Sequence, residues 1–464
     1  MNEEKSFRDI IYTSDEEGHR KWVYAHKPSG LLYRYRSLLS YIYLAVFIIL
    51  PFLKINGHPL FLFDVPGREF ILFGVIFWPQ DFFIFAIGML TFMVFIVFFT
   101  VVYGRVFCGW ACPQTIFMEM VFRKIEYWIE GSAEQQKRLD KQHWNREKIL
   151  KKGGKHILFY AISFLISNLF LAYIIGVDEL SKIIAAPVSH NIGGFFALLA
   201  FSGVFYAVFA FAREMVCTFA CPYGRLQGVL LDKNSIVVAY DYKRGEPREK
   251  ISHEKETPLS GDCIDCAMCV KVCPTGIDIR NGTQLECINC TACIDACDAV
   301  MEKVHRPKGL IRYASENNIA NKQKLEITPR MVAYSAVLTA LVVVLSIILV
   351  SREHFDASIT RAQGQLYQKT DSTHYSNLYN IKLINKTHET FPVELRLAGK
   401  NGYIQTIGGE MNAGSETYTE SSFFVVLDRS ELTAKKLDIN IEVYSGDTKL
   451  ETVHTIFYGP LLKI

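Results

Sequence analysis

The sequence has little net charge, because its 50 lysine and arginine residues nearly balance 47 aspartate and glutamate residues. A formal charge of +3 lacks the basic character of nucleic-acid-binding domains, so we expect no nucleic-acid partner. Only 21% of the residues are charged and 50% are hydrophobic, which excludes an intrinsically disordered chain. The polar first 36 residues are not followed by the cleavage site of a secretory signal. We therefore expect the first membrane span to be retained as a signal anchor.

Charge is almost absent from several long apolar stretches. A helix needs roughly 20 apolar residues to cross a bilayer. One apolar stretch, Phe70–Trp78, is shorter than this and is predicted to be re-entrant or interfacial rather than to span the membrane. The composition predicts five transmembrane helices, near 38–53, 81–103, 156–176, 191–212 and 331–350.

The distribution of lysine and arginine predicts how these spans are oriented. Segment 1–36 holds seven such residues and loop 104–155 holds eleven, whereas the loop after the first span holds Lys54 and Arg68. The loop after the third span holds Lys182 alone. By the positive-inside rule, the N-terminus, loop 104–155 and segment 213–330 lie on the cytoplasmic side. The residues after 350 then lie in the periplasm.

An internal repeat occurs within the membrane region. The run Arg105–Pro113, with the sequence RVFCGWACP, resembles Glu214–Pro222, with the sequence EMVCTFACP, at an offset of 109 residues. Each run follows a predicted span, so both lie at the cytoplasmic end of the membrane. We call these two runs the membrane-edge motifs. Arg105 and Arg213 are predicted to anchor the ends of the helices at the lipid headgroups.

Each membrane-edge motif has the pattern Cys-x-x-x-Cys-Pro. On a continuous helix the two cysteines of a pair share one face, but the proline also permits the second cysteine to cap a new helix. Converging thiolates would select soft ions such as Cu(I), hold another cluster or exchange electrons as dithiols. The alternative is that small cysteines merely help the spans to pack. The candidate residues are Cys108, Cys112, Cys217 and Cys221.

Eight further cysteines lie between the fourth and fifth spans in two runs of the bacterial ferredoxin type. In such runs three thiolates reach one cubane and the fourth cysteine crosses to the other cluster. Disulfides are disfavoured in a reducing compartment, and zinc sites more often use separated pairs or histidine. We therefore predict two [4Fe–4S] clusters. The first is held by Cys263, Cys266, Cys269 and Cys297, and the second by Cys287, Cys290, Cys293 and Cys273.

The region after the fifth predicted span changes in character. Short alternating runs separated by turn residues predict a β-sandwich of the immunoglobulin type. This region lacks cysteine and so has no disulfide. Its four histidines show no metal-binding spacing and are not predicted to form a site: His354, His374, His388 and His454.

Together these features predict a multi-domain membrane protein. It combines an α-helical bundle of five transmembrane helices, an inserted two-cluster ferredoxin domain and a C-terminal immunoglobulin-like β-sandwich. The predicted parts are a cytoplasmic segment 1–37, a membrane region 38–230 with both motifs, a ferredoxin-like domain 231–330, a fifth transmembrane helix 331–350 and a periplasmic sandwich 351–464.

This combination, in this order, resembles the CcoG/FixG/RdxA family of bacterial accessory proteins for cbb-type cytochrome oxidase. The resemblance implies an inner-membrane iron–sulfur protein that reduces Cu(II) to Cu(I) for the oxidase's copper centre. By motif match, the four membrane-edge cysteines become the candidate catalytic and copper-handling residues. The expected partners are the membrane, copper ions, a cytoplasmic electron donor that the sequence does not identify, and oxidase subunits or copper chaperones.

Two other functions fit the same motifs. The spans and motifs also resemble membrane subunits of quinol-oxidising chains, in which the clusters would relay electrons from quinol without copper chemistry. A non-enzymatic scaffold is the third hypothesis, in which the sandwich docks an assembling oxidase and the clusters sense redox state.

Overall fold

A computed structural model of the chain describes residues 17, 19–55, 57–64, 69–73, 75–77, 81–250, 261–322, 328–352, 355–364, 366–387, 389–409, 411–415 and 417–460. Its contacts divide the chain into two compact units, Met1–Leu345 and Ser346–Ile464. All 12 cysteines lie in the first unit. The membrane and ferredoxin regions share this unit, so the boundary predicted between residues 230 and 231 stays a prediction.

Five helices are long and apolar enough to cross a membrane, as predicted. The first and third begin earlier than the apolar runs do, because polar residues extend each helix at its N-terminus. The helices are α1 (Leu31–Ile49), α2 (Phe82–Tyr103), α3 (Val106–Trp110), α4 (Pro113–Ile116), α5 (Arg123–Ile129), α6 (Ala133–Lys141), α7 (Arg146–Ile175), α8 (Val177–Ala185), α9 (Ile192–Ala207), α10 (Pro222–Leu230), α11 (Tyr242–Gly245), α12 (Met268–Lys271), α13 (Ala292–Lys303), α14 (Glu316–Asn321) and α15 (Pro329–Val350).

The core of the helical bundle lies between α7, α9 and the chain that follows the first motif. A π-helical stretch, Phe117–Phe122, connects α4 to α5, and a second, Val208–Ala212, extends α9. The ring of Phe122 packs against Phe159 and Phe209, at centroid distances of 4.9 and 4.6 Å. In contrast, no residue of α15 is buried, so its apolar surface suits contact with lipid.

Short strands occupy the loop between α1 and α2. These are β1 (Lys54–Ile55), β2 (His58–Pro59), β3 (Phe61–Asp64), β4 (Glu69–Leu72) and β5 (Val75–Phe77). The strands β3, β4 and β5 form an antiparallel sheet, so the stretch predicted to be re-entrant or interfacial is extended. Trp78 lies outside the described residues, and the position of this sheet relative to a membrane stays a prediction.

A two-stranded antiparallel sheet frames the ferredoxin region. It pairs β6 (Val237–Tyr240) with β7 (Ile311–Ala314), and so brings together the two ends of the segment that carries the eight cysteines. Val238 and Ile311 are each 1% exposed and pack on the same core as α13. This core positions both cysteine runs.

The second unit is a sandwich of two antiparallel sheets. One sheet has the order β12-β14-β10-β8 with β9 beside β10, and the other has the order β13-β11-β15-β16. Tyr379 and Phe423 stack at 5.7 Å in the core between the sheets. The strands are β8 (Phe355–Arg361), β9 (Gln368–Lys369), β10 (His374–Asn385), β11 (Phe391–Ala398), β12 (Gly402–Ile407), β13 (Met411–Ala413), β14 (Tyr418–Asp428), β15 (Lys436–Ser445) and β16 (Thr448–Tyr458).

Candidate metal centres

The two cysteine runs of the ferredoxin region have the same backbone conformation. Asp265 and Ala267 flank Cys266 with positive φ values of 51° and 54°, and Asn289 and Thr291 flank Cys290 with 53° and 66°. Left-handed residues on both sides of a cysteine turn the chain tightly, so that successive thiols point into one cavity. Because none of these residues is glycine, the pattern of turns was not predictable from glycine positions.

The first cavity is surrounded by thiols and by apolar walls. Its walls include Tyr240, Met301 and Leu310, and Arg280 lies at its edge. Among its thiols, that of Cys266 is exposed, so this site reaches the surface of the unit. The cysteines that line it are Cys263, Cys266, Cys269 and Cys297.

The second cavity is more deeply enclosed. Val238, Ile277 and Ile288 form its apolar walls. Cys269 of the first set also borders it, so the two cavities are adjacent. The cysteines of the second predicted set line it: Cys273, Cys287, Cys290 and Cys293.

The chemistry of these cavities fits a cationic cluster. Burial raises the pKa of Cys269, Cys287 and Cys297 to about 12, and that of Cys290 to about 11. Such thiols stay protonated unless a positive group in the cavity stabilises the thiolates. Within the described ranges, no group of three or more cysteine, histidine or acidic side chains is close enough to hold a single metal ion. Wider spacing around an apolar cavity suits a cubane of four irons.

The membrane-edge motifs depart from a continuous helix. Cys108 lies in α3, whereas Cys112 is extended and precedes Pro113, the first residue of α4. In the second motif Cys217 lies in a π-helical turn, Val216–Ala220, and Cys221 caps α10. Of the two arrangements that the sequence allowed, the structure therefore has the one in which the second cysteine begins a new helix.

The four membrane-edge thiols lie near one another. Burial is the main reason that the pKa of Cys108 rises to about 11 and that of Cys217 to about 12, and both thiols are also influenced by Cys112 and Cys221. The thiol of Cys108 donates a hydrogen bond to Oε1 of Gln227 at 2.9 Å. The repeat therefore brings the two motifs together, as duplicated hairpins should.

The first motif packs directly against the second cavity. Cys108 shares a packed cluster with Cys290 and with Cys293. Gly109 faces the loop between Cys287 and Cys290, where an added Cβ would lie 2.4 Å from the carbonyl oxygen of Ile288. Glycine at this position thus permits the motif and the loop to approach to van der Waals distance.

Arg105 fixes the ferredoxin region on the first motif. Its guanidinium donates to the carbonyl oxygen of Leu285, and its Nε donates to Gln227 at 3.2 Å. The side chain is 4% exposed. The prediction that Arg105 anchors a helix end at lipid headgroups was therefore wrong, because its hydrogen-bond partners lie within the protein.

A buried ionic network occupies the corresponding place beside the second motif. Arg213 is paired with Glu126, and Glu214 with Arg20 at 2.9 Å. Both guanidinium groups lie over the ring of Trp22, at 4.5 Å for Arg213 and 4.4 Å for Arg20. The headgroup role predicted for Arg213 was wrong for the same reason. Sequence reasoning missed this network because its members are far apart in the chain.

The histidines of the second unit make local contacts. The imidazole of His374 contacts the carboxyl groups of Asp371 and Asp428, and that of His454 contacts Asn440. His354 and His388 lie outside the described residues. The described contacts give these side chains local partners within the sandwich.

Family models match three parts of the chain. A model described as a 4Fe-4S binding domain covers residues 85–131, and one described as a 4Fe-4S dicluster domain covers 212–316. A third, described as an IG-like fold at the C-terminal of FixG, covers 345–460. The predicted iron–sulfur and immunoglobulin-like parts are confirmed by these matches. The first match is notable because its only cysteines belong to the first membrane-edge motif.

Curated relatives match along most of the chain. Protein RdxB of Cereibacter sphaeroides is 33% identical over 416 residues, which cover 86% of each chain. Protein RdxA of the same organism is 32% identical over 403 residues, covering 83% of this chain and 84% of RdxA. Nitrogen fixation protein FixG of Rhizobium meliloti is 30% identical over 446 residues, covering 86% of this chain and 83% of FixG.

Proposed function

The chain belongs to the FixG/RdxA family of iron–sulfur proteins, and from this premise we propose that it reduces Cu(II) to Cu(I) for the copper centre of a cbb-type cytochrome c oxidase. It acts in a bacterial inner membrane, with the N-terminus and ferredoxin region in the cytoplasm and the sandwich in the periplasm. Copper is the substrate, and the four membrane-edge cysteines supply the thiols that bind it, no more than two at a time in the described arrangement. Cu(I) then passes to a copper chaperone or an oxidase subunit.

The ferredoxin region supplies the electrons. When bound, two [4Fe–4S] clusters accept and donate electrons singly, at potentials set by charge, hydrogen bonds and solvent. The ligands of the first are Cys263, Cys266, Cys269 and Cys297, and those of the second are Cys273, Cys287, Cys290 and Cys293. Among the first set, Cys266 is exposed, which suits electron entry from a cytoplasmic donor.

One observation carries the proposal: Cys108 and the ligands Cys290 and Cys293 pack in the same cluster of side chains. Gly109 lies against Ile288 between two ligands of the second set. The residues of the motif contact the residues that line the second cluster site, so a substrate ion bound at the motif would lie close to that cluster. Such proximity favours fast electron transfer without any domain movement.

The thiols of the motif also favour the product. Soft thiolate ligands prefer Cu(I) to the harder Cu(II), so binding at Cys108 or Cys217 stabilises the reduced ion. Because burial raises the pKa of both thiols, each must release a proton when it binds the ion. The reaction at this site therefore couples reduction of copper to loss of thiol protons.

The test is a single-turnover experiment. The full-length protein is purified anaerobically in detergent, its clusters are reduced, and one equivalent of Cu(II) is added with a chromogenic Cu(I) chelator. We expect rapid cluster oxidation with stoichiometric Cu(I) in the wild type, and at least about tenfold slower oxidation when all four membrane-edge cysteines are serine. The matched control is Met118→Leu/Met120→Leu, which removes buried sulfur atoms near the first motif but no thiol.

Iron content and electron paramagnetic resonance must be measured on every variant. Equal rates in the wild type and the four-serine variant would remove these thiols from copper chemistry. Loss of about a third of the iron in that variant would instead show that the motifs hold a further cluster, as the match over residues 85–131 allows.

A further inference from the structure

A cavity of about 510 Å³ opens beside the second membrane-edge motif. Cys217 and Phe219 form one wall, and Arg225 and Val229 of α10 form another. Leu285 and Glu286 close the third side, just before the cysteine run of the second cluster site. The cavity is thus bounded by the motif and by the ferredoxin region at once.

The size and walls of this cavity suit an organic molecule. A single water occupies roughly 30 Å³ of liquid, whereas pockets for small organic ligands measure about 300–1,000 Å³. Phe219, Val229 and Leu285 present apolar surface that a hydrated ion would not use. The cavity is therefore large enough to admit a metal ion bound within a small organic complex.

The charge of the cavity indicates the sign of that complex. Arg105 and Glu286 interact electrostatically within the lining, and Arg105 is also held by Gln227 and Leu285. Arg225 is exposed, and in the described part of the chain its side chain forms no ion pair. An uncompensated guanidinium attracts an anion and repels a hydrated dication.

Cys217 places the candidate copper site at the wall of the cavity. Its thiol borders the open space and lies near those of Cys108, Cys112 and Cys221. An ion carried into the cavity would therefore meet a thiol of the repeat without passing through the protein core.

We propose that this cavity is the entrance for copper, and that it accepts Cu(II) as an anionic complex with a small polycarboxylate rather than as the hydrated ion. The inference rests on the proposed function and names its substrate class. In the step, Cu(II) gains one electron and the reduced iron–sulfur protein loses one. Bonds from copper to the chelator's oxygens break, bonds to cysteine sulfurs form, and the thiol protons and the free chelator pass to water.

The kinetic test compares two substrates of opposite charge. Cu(II)–citrate is anionic and Cu(II)–bis(ethylenediamine) is a dication, and initial rates of Cu(I) formation are measured with the reduced full-length protein. We expect a lower KM for the citrate complex. Arg225→Glu should raise that KM about five- to tenfold and leave kcat nearly unchanged. The control is Arg146→Glu, which makes the same charge change at an exposed position at the start of α7.

A second readout is independent of electron transfer. Alkylation of Cys217 by a maleimide is followed by peptide mass spectrometry, with Mg(II)–citrate added to fill the cavity. Mg(II) prefers oxygen ligands to thiolates, so protection reports occupancy by the complex and not metal binding at sulfur. We expect Mg(II)–citrate to slow alkylation of Cys217 several-fold in the wild type and in Arg146→Glu, and to leave the rate unchanged in Arg225→Glu.

The outcomes separate the two proposals. Normal Cu(I) formation with equal KM values for both complexes, and no protection by citrate, would overturn the anionic entrance and leave the cupric reductase intact. Protection without Cu(I) formation from either complex would overturn the reductase and keep the cavity as an anion site. Protection by a short-chain quinone but not by citrate would overturn the inference in favour of a quinol site.

Discussion

The two membrane-edge motifs share a backbone turn but differ in what they contact. Gly104 ends α2 with φ 58° and ψ −136°, and Arg213, 109 residues later, ends the extended α9 with φ 50° and ψ −123°. These dihedrals favour glycine, yet the second copy has arginine. The same turn is therefore maintained by glycine in one copy and by a buried ionic network in the other.

The residue that follows the first cysteine of each motif also has different surroundings in the two copies. Gly109 in the first motif lies under the ferredoxin loop at Ile288, whereas the equivalent Thr218 borders the open cavity. One copy is thus closed by the electron-supplying region, and the other stays accessible. The first copy of the hairpin therefore provides the face on which the ferredoxin region packs, and the second provides the wall of the proposed copper entrance.

The largest predicted effect comes from closing the space at Gly109. Gly109→Val places a branched side chain where even a Cβ would lie 2.4 Å from the Ile288 carbonyl oxygen. The obstructing atom belongs to the backbone and cannot rotate away as a side chain can. The loop between Cys287 and Cys290 must therefore move. Overpacking costs about 1–3 kcal/mol or more. We expect the variant to lose the second cluster, and therefore about half of the cluster iron, measured by iron analysis and spin quantification.

The second copy provides the matched control for this substitution. Thr218→Val places the same valine at the equivalent position, where it replaces an isosteric threonine that borders the cavity. It should retain the full iron content. Equal losses in both variants, or full occupancy in Gly109→Val, would contradict the division between a docking copy and an accessible copy.

A smaller effect is expected where the two copies differ by charge, at Arg105 and its equivalent Glu214. Arg105→Gln removes the contact with Leu285 and one of two donors to Oε1 of Gln227, which still accepts from the thiol of Cys108. We expect a loss of about 1–3 kcal/mol and faster amide exchange over residues 284–291, because these hydrogen bonds join the loop to the motif.

The companion variant is Glu214→Gln. It breaks the pair with Arg20, which keeps 22% of its side chain exposed and can partly rehydrate. We expect a loss of about 1–2 kcal/mol in thermal unfolding and unchanged exchange at the ferredoxin loop. Faster exchange there in Glu214→Gln would show that the network beside the second motif also holds the ferredoxin region.

Regular patterns were the part of this protein that the sequence could predict. Long uncharged runs identified five spans, and alternating residues identified strands inside β10, β11, β14 and β15. The cysteine spacings predicted two sets of four, and each set lines its own cavity. These signals are local, so they can be recognised without knowing the fold.

Long-range contacts were not predictable in the same way. Arg105, Arg213 and Glu126 carry charges that a sequence assigns by default to a solvated or headgroup position. Their partners are 29 to 180 residues away, and no local spacing marks them. Two edge strands of the sandwich were also missed, because β12 is largely exposed and β13 has only three residues.

The smallest predicted loss of stability is that of Arg213→Gly, which is compared with Gly104→Ala at the shared turn. Gly104→Ala adds strain of about 1–3 kcal/mol at a positive φ, together with a Cβ 2.8 Å from the Ile236 carbonyl oxygen. Arg213→Gly relieves the same strain but removes a partner of Glu126, which keeps Lys155 at 3.4 Å. We therefore expect a clear loss of thermal stability in Gly104→Ala and a loss of only about 1 kcal/mol in Arg213→Gly.

The pH dependence of stability distinguishes the contribution of the Arg213–Glu126 ion pair from that of backbone strain at Arg213. Burial alone would raise the pKa of Glu126, but Arg213 and Lys155 hold it below the usual range. Because the folded pKa is lowered, the stabilisation is present above the unfolded value of about 4.3 and is lost as the pH falls through the folded value. Arg213→Gly should therefore lose less stability than the wild type between neutral and acidic pH. Parallel pH profiles for the two proteins would mean that backbone strain, and not the ion pair, controls this turn.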